Sequence, residues 1–466
     1  MQPRRRCFLG GAIQLLRPTR SSACSHACLA LRGQQLYSSS SFSHEKEKVA
    51  LEDNTPTKDV EDPEIAAQRK ARWAELAAKR KETKNLLPLK IGMVILPDQL
   101  KAKLTDFLRQ HPSSNVTEAA RQLAATLGQR TIIKPVAPES ATTTTQQKDT
   151  PPPIAYRTKE TLGYCAHRMP GVYACILRVL HELQLRRPEW RPRSLLDFGS
   201  GPGTAVWASM QTWPNISNVL AVEPSEAMTE AAHFLLQDYG QTRWQRILTT
   251  EPEERYDLVM AAFVLSELKD DAERAEKVTT LWRHTKRGGV LLFIEPGTPV
   301  GFNIIRTARS QVLEDPRHGV PSVLAPCPHN FSCPMKSDSW CHFSQRMQRL
   351  PSQLWSGSTA INWQDEKYSY VALTKGDPLL REEETFSRVL GQPKKRGGHV
   401  VLTACDRYSG MIQSHVLSKV HKEAYKEARK ANWGDAFIFP KDSVRSLPSK
   451  TYPKSFAPTP RSKKDN

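Results

Sequence analysis

The sequence predicts an α/β fold built around a parallel sheet with helices on both faces. Strand-like apolar segments alternate with helical patterns, a glycine-rich turn follows the first strand, and an acidic residue ends the second. Strands that alternate with helices of this length form parallel sheets covered on both faces. The predicted strands are Ser194–Phe198, Val219–Val222, Leu258–Ala262 and Val290–Glu295, with helices that begin near Pro202, Ser225 and Asp270.

The flanking segments are predicted in less detail. A helix is expected from Thr158 to Leu185, before the first strand. After Glu314 the alternation of strands and helices ends, and a stretch rich in Pro and Cys follows. Short strands are expected again at Tyr370–Leu373 and His399–Ala404, and a basic helix at Ser418–Ala431.

The composition favours an anionic partner. The 466 residues suffice for two or three domains, and their formal net charge is +19. Residues 392–466 contain 16 Lys or Arg and 6 Asp or Glu, so this segment carries about half of the net positive charge of the chain. Phosphate contacts from such a segment give salt-dependent affinity that is largely independent of nucleic-acid sequence. No run of eighteen apolar residues occurs, so no membrane span is predicted.

The first 44 residues have the composition of a mitochondrial transit peptide. They contain six arginines and no acid, and serines crowd residues 38–43. Gln14 and Arg17 interrupt the apolar stretches, whereas a secretory signal needs an unbroken apolar core. We therefore expect a transit peptide at residues 1–44 and a protein of the mitochondrial matrix.

Composition also divides the rest of the chain. Residues 134–153 are poor in apolar residues and rich in Thr and Pro, so they are expected to be a linker. A charged helix over about 63–83 and a helical pattern near 116–127 precede it. The expected regions are an N-terminal helical region at 45–133, the α/β domain at 154–315, a Cys-rich region at 316–410, and a basic helix and tail at 411–466.

The turn after the first strand has the features of a nucleotide-binding loop. Gly199, Gly201 and Gly203 alternate shortly after Asp197. Glycine lets the backbone approach a ligand closely, and the helix that follows points its free amide groups at it. The spacing differs from the G-x-G-x-x-G of dinucleotide sites, and no lysine follows as a phosphate loop requires. Glu223 ends the second strand, where a carboxylate can accept both ribose hydroxyls of an adenosine.

Together these features resemble the class I S-adenosylmethionine-dependent methyltransferases, whose sheet is Rossmann-like. The resemblance implies that S-adenosylmethionine lies at the carboxyl ends of the strands. It also implies the cofactor-binding residues, which are Asp197, Gly199, Gly201, Gly203 and Glu223.

The segment Tyr256–Leu268, which is expected to contact a methyl acceptor, has few candidate catalytic residues. It carries neither the D/N-P-P-Y/F of amino-methylating enzymes nor the cysteine of enzymes that methylate carbon 5 of cytosine, and no aromatic stacking partner is evident. Ser266 and Glu267 are its polar candidates, and Glu267 is either a base or a helix-start carboxylate. A missing base costs roughly 100- to 10,000-fold in rate. We expect a pocket that binds the cofactor while methyl transfer is weak or lost.

Four of the nine cysteines are candidate metal ligands. Three leave with the presequence, and Cys165 and Cys175 fit small core residues. In a reducing matrix the remaining four favour metal binding over disulfides. These four are Cys327, Cys333, Cys341 and Cys405.

Spacing alone leaves the metal open. Structural zinc sites favour thiols separated by two to four residues, whereas here five and seven residues separate the first three. Wider spacing suits a [4Fe–4S] cluster. His329 and His342 keep zinc as the alternative metal, and four unrelated free thiols are a further possibility.

Five motifs together resemble the mitochondrial methyltransferase-like family of small-ribosomal-subunit factors. The resemblance covers roughly residues 164–435. It implies assembly of the mitochondrial small ribosomal subunit through contact with its rRNA and proteins, a [4Fe–4S] cluster on the four cysteines, and little or no methyl transfer. The motifs are LLDFGSGPGT (195–204), FIEPGTPVGF (293–302), PCPHNFSCP (326–334), WCHFSQR (340–346) and ARKANWGD (428–435).

Two other functions remain open at this stage. One is an active methyltransferase of mitochondrial small-subunit rRNA that acts on a cytosine. The other is a redox or iron sensor in which the cluster controls assembly.

Overall fold

Two β-sheets and the helices around them form the fold. The computed structural model describes residues 86–131, 153–239, 242–315, 319–336, 338–354, 361–376, 386–439 and 445–447. All of these belong to one unit, Leu76–Asn466. The predicted transit peptide, the charged helix at 63–83 and nearly all of the predicted linker lie outside the described residues and stay predictions.

The elements are numbered along the chain. The helices are α1 Asp98–Arg109, α2 Ser113–Thr131, α3 Thr158–Gly163, α4 Met169–Arg186, α5 Thr204–Thr212, α6 Glu226–Leu235, α7 Asp271–His284, α8 Pro299–Glu314, α9 Pro351–Leu354 and α10 Lys422–Ala428, with a π-helical turn at Tyr164–Arg168 and a 3-10 turn at Leu265–Glu267. The strands are β1 Leu86–Leu87, β2 Ser194–Phe198, β3 Asn218–Val222, β4 Thr242–Gln245, β5 Tyr256–Ala262, β6 Thr285–Pro296, β7 Pro321–Ala325, β8 Phe343–Gln348, β9 Trp363–Lys375, β10 Ser387–Val389, β11 Lys394–Lys395, β12 His399–Cys405, β13 Ile412–Ser418, β14 Ala436–Phe437 and β15 Arg445–Leu447.

The first sheet contains the predicted α/β core. Its strand order is β4-β3-β2-β5-β6-β9-β7, and β8 pairs beside β9. The strands from β4 to β6 are parallel, which confirms the four predicted strands. Helices begin close to their predicted starts, and Ser225 and Asp270 cap α6 and α7 through their side chains.

The prediction of an all-parallel sheet is wrong at one edge. The long strand β9 runs antiparallel to β6, and β7 and β8 both pair antiparallel with β9. Only the apolar end of β9, near Tyr370–Leu373, was visible in the sequence, because its first half alternates between exposed and half-buried residues. The predicted boundary after residue 315 therefore does not coincide with the end of this sheet.

Helices cover both faces of the first sheet. Successive strand residues point to opposite faces, so Leu195 packs with α4 while Leu196 packs with α7 and α8. The predicted helix from Thr158 is present in three pieces, α3, the π-helical turn and α4. Cys165 and Cys175 are fully buried there, which confirms their prediction as core residues.

The second sheet is antiparallel and includes the last described strands of the chain, β10 to β15. Its order is β1-β14-β10-β12-β13-β15, with β11 beside β12. The predicted basic helix at Ser418–Ala431 is shorter than expected, because Ser418 pairs with His399 at the end of β13 and the helix begins at Lys422. None of the described helices is long and apolar enough to cross a membrane.

Candidate cofactor site and metal centre

The glycine loop lies at the carboxyl end of β2 with all three glycines in the left-handed region. Their φ angles are 70° at Gly199, 53° at Gly201 and 80° at Gly203. A Cβ on Gly199 would lie 2.4 Å from Val264, and one on Gly203 would lie 2.4 Å from Leu236. A Cβ on Gly201 would meet no heavy atom closer than 4.0 Å. The outer glycines are therefore required for packing, and the middle one has open space above it.

Glu223 holds this loop in place. Its Oε2 accepts a hydrogen bond from the Gly201 amide at 2.8 Å, and its Oε1 accepts one from the Ser225 amide at 2.8 Å. Burial raises the pKa of Glu223. Each carboxylate oxygen has two lone pairs, so these bonds leave acceptor capacity for a ligand hydroxyl. The predicted contact with a ribose stays a prediction.

Buried polar side chains lie beside the loop. They belong to Asp197, Ser200 and Thr204. Burial raises the pKa of Asp197 to about 7, and its hydrogen bond with Ser200 opposes that rise. Polar side chains beside a glycine loop fit a polar ligand such as a nucleoside cofactor.

Tyr156 bridges the carboxyl end of the sheet. Its carbonyl oxygen accepts a hydrogen bond from Ser225 Oγ at 2.6 Å, and its hydroxyl donates one to Glu267 Oε1 at 2.7 Å. Burial, and then the Glu267 charge, raise the pKa of Tyr156. Glu267, the candidate base, is thus half-buried and already accepts a hydrogen bond from the protein. Its catalytic role stays a prediction.

Phe263 is a residue of this site that sequence reasoning missed. It directly follows β5 with a φ of 59°, and the guanidinium of Arg168 lies 4.7 Å from its ring centre. A bulky residue with positive φ is uncommon, and such strained residues cluster at functional sites. The sequence places an aromatic residue there but gives no sign of the backbone angle.

The four predicted cysteines line one cavity of about 40 Å³. Cys327, Cys333 and Cys341 come from the segment between β7 and β8, and Cys405 is the last residue of β12 in the second sheet. Burial, and then the other three thiols, raise the pKa of Cys341 well above its usual value. The structure therefore brings together all four predicted ligands, while metal binding itself stays a prediction.

Three arginines border the cavity. Arg306, Arg309 and Arg388 are among its lining residues together with the four cysteines, no carboxylate of the described residues lines it, and the surface that faces it is almost entirely apolar. Arg309 and Arg388 are buried, and the Nε atom of Arg309 has no partner among the described residues. Buried charges need compensation by opposite charge. Deprotonated thiols that hold a metal group would supply that negative charge.

The two histidines lie differently around the cavity. His329 Nε2 lies 3.2 Å from Cys405 Sγ, and burial, followed by the charge of Arg309, lowers the pKa of His329 to about 4. His342 instead packs between Trp340 and Trp433. Among the described residues, no three or more His, Cys, Asp or Glu side chains are arranged to hold one metal ion. The cluster and the alternative zinc site therefore both stay predictions.

Arg388 connects the cavity to both sheets, and the sequence did not reveal it. Its Nε donates to the carbonyl of Pro326 at 2.8 Å, one terminal nitrogen donates to the carbonyl of Gly434 at 2.6 Å, and the other donates to Glu182. Glu182 is fully buried on α4. Burial alone would raise the pKa of Glu182, but Arg388, Arg186 and Arg178 together hold it below its usual range. No sequence pattern distinguishes these charges from a solvated helix face.

Comparison with known proteins gives a family match and several relatives. The family model described as mitochondrial small ribosomal subunit Rsm22 matches residues 158–438. The human ribosome assembly protein METTL17, mitochondrial, is 33% identical, covering 60% of this chain and 63% of the human one. The ribosome assembly protein RSM22, mitochondrial, of Saccharomyces cerevisiae is 22% identical, covering 56% and 64% respectively. This chain thus spans less than two thirds of the length of these relatives.

Solved structures of methyltransferases resemble part of the chain. The N-methyltransferase NodS from Bradyrhizobium japonicum, in complex with S-adenosyl-L-homocysteine, is 11% identical with a TM-score of 0.28, covering 44% of this chain and all of NodS. Precorrin-6y C5,15-methyltransferase from Geobacter metallireducens is 12% identical with a TM-score of 0.28, covering 44% and 86%. Likeness at this level identifies no function.

Proposed function

The chain belongs to the Rsm22 family of the mitochondrial small ribosomal subunit, and we propose that it is a matrix factor that assembles this subunit by binding its rRNA and proteins. The net charge of +19 supports a nucleic-acid partner. The names of the human and yeast relatives support a role in mitochondrial ribosome assembly.

The observation that carries the proposal is the cavity that all four predicted cysteines line. In this proposal Cys327, Cys333, Cys341 and Cys405 hold a [4Fe–4S] cluster. When bound, the cluster would tie the loop between β7 and β8 to the end of β12. The free energy of metal binding would then stabilise the folded form of this loop, which has little hydrophobic core of its own.

The methyltransferase-like half is proposed to bind S-adenosylmethionine with little or no methyl transfer. The buried polar side chains of Asp197, Ser200 and Thr204 beside the glycine loop support cofactor binding. The lack of a recognised catalytic motif in Tyr256–Leu268 supports weak chemistry.

One observation favours the second candidate, an active methyltransferase of a small-subunit rRNA cytosine. Glu295 is fully buried near the end of β6, its Oε1 accepts a hydrogen bond from the Leu265 amide at 2.8 Å, and burial raises its pKa to about 7. A carboxyl group with such a pKa suits acid–base catalysis. Transfer of a labelled methyl group to small-subunit rRNA by the purified protein would establish this candidate, and absence of transfer by cluster-loaded protein would remove it.

Anaerobic purification tests the cluster. We expect brown protein with iron and sulfide in equal amounts and little zinc. Cys333→Ser should lose colour, iron and stability together, whereas the matched control Cys165→Ser, which changes a buried core cysteine away from the cavity, should keep its iron. Iron-free wild-type protein, or a Cys333→Ser variant that retains the cluster, would contradict the proposal.

Assembly is tested in cells that depend on the variant chain. Glu267→Ala should leave the amount of small subunit unchanged on a sucrose gradient, since in this proposal assembly needs no catalytic base. Cys333→Ser should reduce it. Loss of small subunits with Glu267→Ala would favour the enzyme instead.

A further inference from the structure

An exposed aromatic surface lies next to the cysteine cavity. Phe331 is 58% exposed, Tyr408 is 70% exposed and Met411 is 57% exposed. A Cβ on Gly410 would lie 2.8 Å from the Phe331 ring, so this ring packs against the turn that carries Tyr408 and Met411. These three side chains, from two different loops, are called the aromatic surface below.

Both loops that carry the aromatic surface are cysteine loops. Phe331 lies between Cys327 and Cys333, and the turn with Tyr408 follows Cys405. The position of one loop against the other therefore depends on the groups that line the cavity. A bound group that draws the thiols together would therefore also set the distance between the exposed rings of Phe331 and Tyr408.

Hydrogen bonds fix each loop locally. Asp406 Oδ1 accepts hydrogen bonds from the Tyr408 amide at 3.0 Å, from the Ser409 amide at 2.8 Å and from Ser409 Oγ at 2.9 Å. Arg309 donates to the carbonyl oxygen of Phe331 at 2.7 Å. A side chain that is exposed on a fixed backbone pays little ordering cost when it binds a partner.

The segments that carry the aromatic surface are basic. Within residues 319–336 and 386–413 the side chains of Lys336, Lys394, Lys395, Arg396 and Arg407 are not buried, and Asp406 is the one acid. The carboxylate of Asp406 is occupied by its own turn and by Ser387. Exposed rings in a basic setting match an unpaired nucleotide, whose base stacks on aromatic side chains while its phosphate meets positive charge.

We propose that Phe331 and Tyr408 stack on an unpaired RNA base, with Met411 completing the contact. This inference rests on the proposed rRNA binding and names the side chains that contact an RNA base. The contact is independent of base identity, because every base has a π face. The cysteines position the loops that carry the surface and take no direct part in stacking.

The test measures binding of a labelled single-stranded RNA of about 12 nucleotides, within the usual span of such sites, to the full-length protein purified without oxygen. Tyr408→Ala and Phe331→Ala should each weaken binding about tenfold, equivalent to about 1.4 kcal/mol. Tyr408→Phe keeps the ring and should bind as the wild type does. Tyr408→Leu keeps bulk without a π face and should bind as weakly as Tyr408→Ala.

Controls separate stacking from charge and from general surface effects. Ile247 is 79% exposed and lies in the methyltransferase-like half, so Ile247→Ala should leave the affinity unchanged. The slope of log affinity against log salt should be the same for Tyr408→Ala and the wild type, because no phosphate contact is lost. A changed slope would contradict the stacking contact.

The outcomes distinguish this inference from the function on which it rests. If the wild type binds the RNA and the alanine variants bind equally well, the aromatic surface is not the base contact, and rRNA binding survives. This is also the result expected if the surface binds a protein instead. If the wild type binds neither single-stranded nor duplex RNA, the proposed rRNA binding fails together with the inference.

Discussion

Replacing Arg388 with Met removes the connection between the two sheets and the cysteine loop. The side chain is 1% exposed and donates hydrogen bonds to Glu182 and to the carbonyl oxygens of Pro326 and Gly434. Breaking a buried ion pair typically costs about 3–5 kcal/mol, and each buried carbonyl left without a donor about 1–3 kcal/mol.

Two features of the structure reduce the loss. Glu182 keeps Arg186 at 2.9 Å and Arg178 at 3.2 Å, so its charge is not left alone, and Met fills part of the vacated volume. We therefore expect Arg388→Met to lower the free energy of unfolding by about 3–5 kcal/mol rather than by the full sum. Arg388→Lys should lose nearly as much, because one ammonium group does not reach three separate acceptors.

The assay is urea unfolding at pH 7, followed by circular dichroism and tryptophan fluorescence. The matched control is Arg121→Met, since Arg121 is 65% exposed and pairs with Glu118 on the same helix. An exposed pair of this kind contributes about 0–1 kcal/mol. An Arg388→Met protein within about 1 kcal/mol of the wild type would refute the assignment of Arg388 as the structural connection.

Three further predictions concern the cofactor half. Gly201→Ala should keep the fold, because its Cβ meets no atom closer than 4.0 Å, at a backbone cost of about 1–2 kcal/mol, yet lower S-adenosylmethionine affinity about tenfold in a calorimetric titration. Gly199→Ala should destabilise the fold itself, and equal affinity of Gly201→Ala and the wild type would contradict the site. Asp197 has a folded pKa raised to about 7, so its contribution to stability is full below about pH 4 and is lost as pH rises through 7. Urea unfolding should therefore show the wild type losing stability relative to Asp197→Asn over that range, and parallel pH curves would count against it. Tyr156→Phe removes the hydrogen bond to Glu267 and should speed amide exchange at residues 154–157 about tenfold, whereas unchanged protection would show that the bond is unimportant.

Local sequence patterns were sufficient to predict the central strands of the first sheet. Each predicted strand there is a continuous apolar run followed by a turn, and side-chain caps such as Ser225 mark where helices start. The glycine spacing likewise predicted the loop, and the structure adds that all three glycines have positive φ. These features depend on residues that are neighbours along the chain.

The remaining features depend on contacts between distant residues. Half of β9 is polar enough to look like a loop, and it becomes a strand because β8 pairs with it. Glu182 and Arg388 are 206 residues apart, so their buried ion pair has no local pattern. The four cysteines could be selected from composition and family resemblance, but only the fold shows that Cys405 reaches the other three from the second sheet.

The charge at this junction links the proposed cluster to the docking of the two sheets. Arg178, Arg186 and Arg388 surround one carboxylate, Glu182, and Arg309 adds a further buried guanidinium at the cavity. Buried positive charge in such excess is costly unless negative charge lies nearby. The thiols supply it only when they are deprotonated, and burial raises the pKa of Cys341 well above its usual value. In our proposal the bound metal would keep this thiol ionised, so removal of the proposed cluster should loosen the second sheet before the first. Amide exchange should rise in β10 and β12 while β2 and β5 stay protected.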